Sequence, residues 1–231
     1  MKALSFLVFG VLSSAISQAN AVDLNSIDLE KARAYQAYVM TFAWPDNMSS
    51  ETIEYKDVYS LDGLMKNPRR SASSIAPRSL PSPFDSFQNT IRARAELLTS
   101  NSWTLIFPDT GASISKPLFS DAQQNGYPEF TGKVTFTLGR YLESNLHYQS
   151  YLFGNPVAVI PEEVHANTHA SGTQLQPSQS FWDGPSQVLP LHFKNKTASK
   201  KLNYIDHPIV GTLIYFEPLD LEQAIDLVSE R

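Results

Sequence analysis

The sequence contains no cysteine. This absence excludes disulfide bonds, thiolate zinc sites, iron–sulfur clusters and cysteine nucleophiles. A chain without such cross-links must be held together by its core. Its hydrophobic content of 42% and aromatic content of 11% are typical of a globular protein and not of a disordered one.

Positive charge is scarce. Lys and Arg together number 18 against 23 Asp and Glu, which gives a formal net charge of -5. Because phosphate contacts require clustered Lys and Arg, we expect no nucleic acid as the main partner. Arg69, Arg70 and Arg78 lie in a stretch rich in Ser and Pro, and this context favours a solvated loop over a basic patch.

Long apolar runs are missing beyond the first residues. Lys2 precedes a mostly apolar stretch at residues 3–16, and the small residues Ala19 and Ala21 follow. This order is typical of a secretory signal peptide, and the apolar run is shorter than the roughly 20 residues of a membrane span. We expect a signal peptide at 1–21, cleaved after Ala21, and a periplasmic domain at 22–231 without a membrane span.

Alternating hydrophobicity predicts a series of strands with few helices between them. The expected strands cover residues 35–44, 103–107, 133–138, 141–153, 187–194, 200–206 and 208–216. Residues 195–199 suit a hairpin loop between the fifth and sixth of these. Irregular regions are expected at 48–83 and 154–185.

The best helical pattern covers residues 84–100. Phe84, Phe87, Ile91, Ala95 and Leu98 form one stripe at helical spacing, which we expect to face the core. A short terminal helix is expected at 220–229. Because crossover helices between strands are missing, the sequence predicts a single α+β domain, in which one main helix packs on an antiparallel sheet and two long irregular loops are added.

Motifs for catalysis are missing. The sequence has neither a Gly-x-Ser-x-Gly elbow nor a Gly-rich phosphate loop. His165 and His169 have a spacing that ligates metal on a helix, but Pro161 and a loop-like context count against a helix there. We therefore expect a binding protein with no metal and no cofactor. An envelope hydrolase that uses His with Asp or Glu remains an alternative.

The alternation at 141–153 predicts a strand with one buried face and one solvent-exposed face. Leu142, Leu146, Tyr148 and Leu152 are expected to point inward. The solvent-exposed face presents hydrogen-bonding groups that suit glycan hydroxyls and peptide amides, and an aromatic ring that can pack against sugar C–H edges. The candidate ligand-binding residues on it are Tyr141, Glu143, Asn145 and His147, followed by Gln149. The alternative interpretation is an ordinary solvated sheet face.

A second candidate set lies near the C-terminus and comprises Tyr204, Asp206 and His207. Pro208 restricts His207 to extended geometry, and neighbouring strand residues point to opposite faces, so Asp206 and His207 do not form a catalytic pair. Gly211 within a strand predicts a bulge or a close backbone approach. The alternative interpretation of this set is a structural hydrogen-bond network.

Four segments occur in a distinctive order along the chain. They are Tyr38-Val39-Met40-Thr41-Phe42, a helix end at Leu97-Leu98 followed by Trp103-Thr104-Leu105-Ile106-Phe107, Gly132-Lys133-Val134 with Arg140-Tyr141-Leu142, and Tyr204 through Asp206-His207-Pro208 to Gly211. In this order they resemble the CsiV family of cell-shape-integrity, peptidoglycan-binding proteins of gammaproteobacterial periplasms. The chain departs from the family pattern at Glu143, where the family tends to have His, and at Lys200-Lys201-Leu202-Asn203.

The resemblance implies a divergent, non-catalytic member that binds peptidoglycan and supports cell-wall synthesis and cell shape. It also implies a partner, an outer-membrane lipoprotein that activates a class A penicillin-binding protein. A protein-interaction module that binds an envelope lipoprotein or synthase without touching glycan is the alternative.

Overall fold

The structure is a computed structural model, and it describes residues 28, 30–45, 51, 53–58, 64–68, 82–154, 157–159 and 180–229. Every strand pairing within these residues is antiparallel. The strands are β1 (Arg33–Ala43), β2 (Lys56–Asp57), β3 (Glu96–Phe107), β4 (Ser113–Phe119), β5 (Gln123–Gln124), β6 (Tyr127–Pro128), β7 (Phe130–Leu138), β8 (Leu142–Leu152), β9 (Val157–Val159), β10 (Ser180–Trp182), β11 (Gln187–Thr197), β12 (Asn203–Ile205) and β13 (Val210–Leu219). The helices are α1 (Ser82–Arg92) and α2 (Leu221–Ser229).

The strands form two larger sheets. The four-stranded sheet has the order β12-β13-β1-β3, and the five-stranded sheet has the order β2-β11-β8-β7-β4. Two small pairs, β5 with β6 and β9 with β10, complete the described strands. The main core lies where the two larger sheets face each other.

Aromatic side chains from both sheets meet in this core. The ring of Phe136 from β7 lies 6.0 Å from Trp103 and 5.4 Å from Phe216, measured between centroids. All three side chains are buried. Burial of a large apolar side chain stabilises a fold by about 1.5–3 kcal/mol, so this contact holds the two sheets together without disulfides.

The second face of the four-stranded sheet is covered by both helices. Phe84 of α1 is fully buried against Tyr38 of β1, with 5.7 Å between the ring centroids. Ala224 of α2 packs on Ala34 and Ile106. The central strand β1 is therefore buried on both of its faces, whereas the five-stranded sheet has an outer face that these helices do not cover.

The expected combination of antiparallel strands and helices is confirmed at this coarse level. The finer prediction of one sheet with one main helix is not confirmed, because both helices are short, with 11 residues in α1 and 9 in α2, and the described strands form two larger facing sheets.

The predicted helix at 84–100 is too long. Residues from Glu96 belong to β3, where Leu98 packs against the core between the sheets, and Phe87 is 44% exposed. Residues 93–98 have high helix propensity, but pairing of Glu96 with Ala43 and of the following residues with β1 outweighs it. Three residues of the predicted stripe lie in α1, namely Phe84, Phe87 and Ile91. Of these, only Phe84 and Ile91 contact the core between α1 and the four-stranded sheet.

The predicted hairpin through residues 195–199 is also wrong. Strand β11 continues to Thr197 and pairs with β8, whereas β12 pairs with β13 in the other sheet. The chain thus passes from one sheet to the other at this point. Leu152, predicted to be buried, is 42% exposed because the core along β8 reaches Tyr148 and does not extend to this last residue of the strand.

Several sequence-based predictions lie outside the described residues. These are the signal peptide at 1–21, the arginines Arg69, Arg70 and Arg78, and the pair His165 and His169. The two irregular regions are described in part and contain β2, β9 and β10. Within the described ranges, no helix has both the length and the apolar character to cross a membrane.

Candidate ligand-binding surface

The candidate surface is the outer face of the five-stranded sheet, meaning the side chains of β4, β7, β8 and β11 that point away from the four-stranded sheet. Alternation along β8 places Leu142, Ser144, Leu146 and Tyr148 on the buried side and leaves Glu143, Asn145, His147 and Gln149 on the outer side. The polar side chains of the outer face are Ser113, Ser115, Lys133, Thr135, Thr137, Glu143, Asn145, His147, Gln149, His192, Lys194 and Lys196.

These side chains form rows across β7, β8 and β11. One row contains Lys133, His147 and His192, which are directly opposite one another. The next row contains Thr135, Asn145 and Lys194, and the third contains Thr137, Glu143 and Lys196, listed in strand order. Strand β4 extends the last two rows, since Ser115 is hydrogen-bonded to Thr135 and Ser113 to Thr137.

His147 and His192 form a close cross-strand pair. Their ring centroids lie 4.3 Å apart and the ring planes are inclined by 54°. The pKa of His147 is lowered from its ordinary value, first by partial loss of solvation and then by repulsion from His192, Lys133 and Lys194. The pair therefore lies in a locally positive environment.

Glu143 and Lys196 form the ion pair at the end of the face. The Lys196 Nζ lies 2.8 Å from Glu143 Oε1, and the hydrogen bond with Glu143 raises the pKa of Lys196. Both side chains are well exposed, so the pair contributes little to stability. Glu143 is the one carboxylate in the three rows, which also carry Lys133, Lys194 and Lys196. The face is thus more positive than the chain as a whole.

Tyr141 lies in the turn that precedes β8 and is 50% exposed. The guanidinium of Arg140 lies 5.7 Å from the centroid of its ring. Together with Glu143, Asn145 and His147, Tyr141 completes the first predicted set of site residues. The structure places Glu143, Asn145 and His147 on one face, with Tyr141 at its end.

The second predicted set belongs to the other sheet. Tyr204 pairs with Leu213 on the side of the four-stranded sheet that carries α1, and its ring is parallel to that of Phe42, with 6.4 Å between the centroids. Its hydroxyl donates a hydrogen bond to Asp206. Partial burial, followed by this hydrogen bond, raises the pKa of Tyr204. These contacts give Tyr204 and Asp206 a structural pairing and separate them from the outer face.

His207 follows in the connection between β12 and β13. Its Nδ1 accepts a hydrogen bond from the backbone N–H of Ile209 at 3.4 Å, and its ring contacts Phe193 edge-on with 5.9 Å between centroids. Burial lowers the pKa of His207 below its ordinary value. His207 therefore lies against an inward-facing residue of β11 and is separate from His147 and His192.

Sequence reasoning missed His192, Lys133 and Lys194. The alternation of β11 indicated that His192 and Lys194 share a face, but the register that places His192 beside His147 is set by tertiary pairing. A cleft of about 390 Å³ was also missed. It is lined by residues at the end of β1 and in the turn between α1 and β3, namely Ala43, Trp44, Pro45, Arg92, Ala93, Arg94, Ala95 and Glu96.

Gly211 lies within strand β13, where the sequence pattern predicted a strand. It pairs with Phe42, and a Cβ atom at this position would overlap the Phe42 ring. The neighbouring pairing of β1 with β3 shifts register between Thr41 and Phe42. The close approach is therefore to a side chain, and glycine leaves room for the ring.

No group of three or more His, Asp or Glu side chains in the described residues is arranged to hold a metal ion. Comparison with protein-family models, with curated proteins and with solved structures finds no match for this chain.

Proposed function

We propose that this protein is a non-catalytic periplasmic accessory protein that binds peptidoglycan through the outer face of its five-stranded sheet and supports cell-wall synthesis and cell shape. The observation that carries the proposal is the open array of hydrogen-bonding side chains on β7, β8 and β11. The resemblance to the CsiV family points to the same ligand, and the signal-peptide pattern points to the same compartment.

The spacing of the array suits an extended polymer. Neighbouring strands lie about 4.8 Å apart, and side chains on one face repeat about every 6.6–6.8 Å along a strand. Asn145, Thr135 and Gln149 offer donors or acceptors for hydroxyl and amide groups. Lys196 and Lys194 provide charge for the carboxylates of the peptide stems. A glycan strand with its peptides can therefore contact several rows at once.

The face is also rigid, because the residues between the polar positions are anchored in the core. Leu146 is fully buried, and Tyr148 and Phe130 contact each other with 4.9 Å between ring centroids. A surface that is already ordered loses little conformational entropy when a ligand binds. This rigidity favours recognition of a repeating polymer over an induced fit.

Sedimentation with purified sacculi tests the proposal. The chain offers a matched pair of variants in Lys196→Gln and Lys200→Gln, since both lysines are similarly exposed (69% and 66%) and both have a carboxylate partner. Lys196 lies on the outer face, whereas Lys200 lies beside Glu217 of β13. The protein comprising residues 22–231 should co-sediment, Lys196→Gln should weaken binding, and Lys200→Gln should not.

Two results would count against the proposal. One is protein 22–231 that stays in the supernatant at low salt. The other is equal loss of binding in Lys196→Gln and Lys200→Gln, because this would point to charge alone and not to the outer face.

A second candidate function is binding of an envelope protein at the opposite side of the molecule. The observation that favours it is the 390 Å³ cleft beside Trp44, together with the half-exposed ring of Tyr204 close by on Phe42. A photocrosslinking residue at position 204 should then trap one lipoprotein or synthase in cells, whereas the same residue at position 141 should not. Equal background at both positions would remove this candidate.

A further inference from the structure

We infer that Lys133, His147, His192 and Lys194 form a carboxylate-binding subsite whose affinity rises as the pH falls from about 8 to 5.5. The inference deepens the proposed function, and it rests on that function for the identity of the polymer that carries the carboxylates. The subsite itself is defined by the geometry of three adjacent strands.

The four side chains form a compact group. Lys133, His147 and His192 occupy one row, and Lys194 is the next outward-facing residue of β11 after His192. The two imidazoles are in contact at 4.3 Å between centroids. No described carboxylate lies within ion-pair distance of Lys133 or Lys194, so within the described residues the positive charge of these two lysines has no carboxylate partner.

The charged groups around the two imidazoles come from four strands. Strand β7 contributes Lys133, β8 contributes His147 and, four residues away, Glu143, and β11 contributes His192, Lys194 and Lys196. Glu143 is held by Lys196 at 2.8 Å. Strand β2 contributes Lys56, which pairs with Val188 two rows further along β11. The charges that act on His147 come from His192, Lys133 and Lys194, and all are cationic when protonated.

This arrangement couples protonation to anion binding. Each imidazole that takes up a proton brings a positive charge next to another, and the repulsion opposes protonation in the free protein. A bound carboxylate removes that penalty. By reciprocity, the anion must raise the pKa of His147, and protonation must strengthen binding of the anion by the same factor.

The charge of the group also selects the class of ligand. Two neighbouring imidazoles can hold a transition metal, but Lys133 and Lys194 repel a cation and attract an anion. The proposed ligand carries carboxylates on its peptide stems, which remain ionised above about pH 5. The subsite therefore fits these carboxylates.

The test uses acetylated tetra-aspartate as a probe, because its charge is nearly constant between pH 5.5 and 8. A unit charge at contact distance strengthens binding in water about fivefold, so two histidines should give about tenfold tighter binding at pH 5.5 than at pH 8 after screening by salt. Titration calorimetry measures the affinity, and acetylated tetra-asparagine is the uncharged control. NMR of the imidazole Cε1–H signals should show the pKa of His147 rising with the probe, while that of His207 stays constant.

Variants assign the effect to the subsite. The double variant His147→Gln/His192→Gln should remove the pH dependence, and Lys133→Gln should weaken binding at both pH values. Lys200→Gln, on the other sheet, should leave both affinities unchanged. An affinity for tetra-aspartate that is the same at pH 5.5 and 8, or a pH dependence that persists in the double variant, would overturn the inference.

Failure of this inference is distinguishable from failure of the proposed function. Sacculi that bind equally well at both pH values would contradict the subsite and leave peptidoglycan binding intact. A pH-dependent affinity for tetra-aspartate without sacculus binding would support the subsite and refute the proposed polymer.

Discussion

Replacement of Gly132 by alanine should destabilise the fold directly beneath the proposed binding face. Gly132 of β7 lies opposite Tyr148 of β8. A Cβ atom at this position would lie 2.5 Å from the backbone carbonyl oxygen of His147 and 2.7 Å from Cδ1 of Tyr148. Real Cβ contacts are essentially never shorter than 3.0 Å. Because the first of these atoms is backbone and Tyr148 is fully buried, β7 itself must move.

The cost of this movement can be estimated from overpacked cores. Such substitutions destabilise by roughly 1–3 kcal/mol, and the reduced freedom of the unfolded chain offsets about 0.4–1 kcal/mol. We therefore expect Gly132→Ala to lower the free energy of unfolding by about 1–2 kcal/mol, which corresponds to roughly 2–8 °C in Tm for a chain of this size. Urea unfolding followed by tryptophan fluorescence measures this, since Trp103 lies in the core.

Gly139→Ala is the matched control. Its Cβ atom would lie 3.2 Å from the backbone oxygen of Tyr141 in the turn before β8, so we expect a smaller loss of stability. A Gly132→Ala protein with the urea midpoint and m-value of the unsubstituted chain would refute the close pairing of β7 with β8 at this position. It would thereby remove the rigid support on which the outer face depends.

Gly211→Ala should destabilise the fold by about 1–3 kcal/mol, and Phe42→Leu should relieve part of that loss. A double-mutant cycle measured by urea unfolding should give a coupling energy of about 1 kcal/mol, and simple additivity would contradict the contact between Gly211 and the Phe42 ring. His147 and His207 have folded pKa values below the unfolded value of about 6.5, so the unfolded chain binds more protons than the folded one. The stabilising contribution of these two residues should therefore be present above pH 6.5 and decline as the pH falls through their folded pKa values. NMR titration should give both pKa values below 6.5, and His207→Gln should reduce the acid-side loss of stability. Incubation of the protein with muropeptides should leave their masses unchanged, and new products in the mass spectrum would instead support a hydrolase.

Much of the fold could be predicted from alternation. The boundaries of β8 and α2 agree with the sequence pattern to within a few residues, because each has one buried and one exposed face. Strand β13 also agrees to within a few residues, although it is buried on both faces. The end of α1 could not be predicted in this way. Residues 93–98 favour a helix locally, and only the long-range pairing with β1 makes Glu96 and its neighbours a strand.

The division of strands between two sheets was also inaccessible to sequence reasoning. Strands β11 and β12 are separated by five residues, a length that suits a hairpin, yet they belong to different sheets. The choice depends on which partner buries more apolar surface, and a local pattern contains no such information. The same limit applies to the candidate surface. The outward direction of His147 could be predicted from the parity of its strand, whereas its contact with His192 depends on the register of β11.

The most direct test of the central claim is NMR mapping of soluble muropeptides on the isotopically labelled protein comprising residues 22–231. Backbone amide shifts should concentrate on β7, β8 and β11, with the largest changes around His147 and Asn145, and α1 and α2 should remain unaffected. Shifts confined to the Trp44 cleft and β12, or no shifts at ligand concentrations that saturate other peptidoglycan-binding proteins, would contradict it.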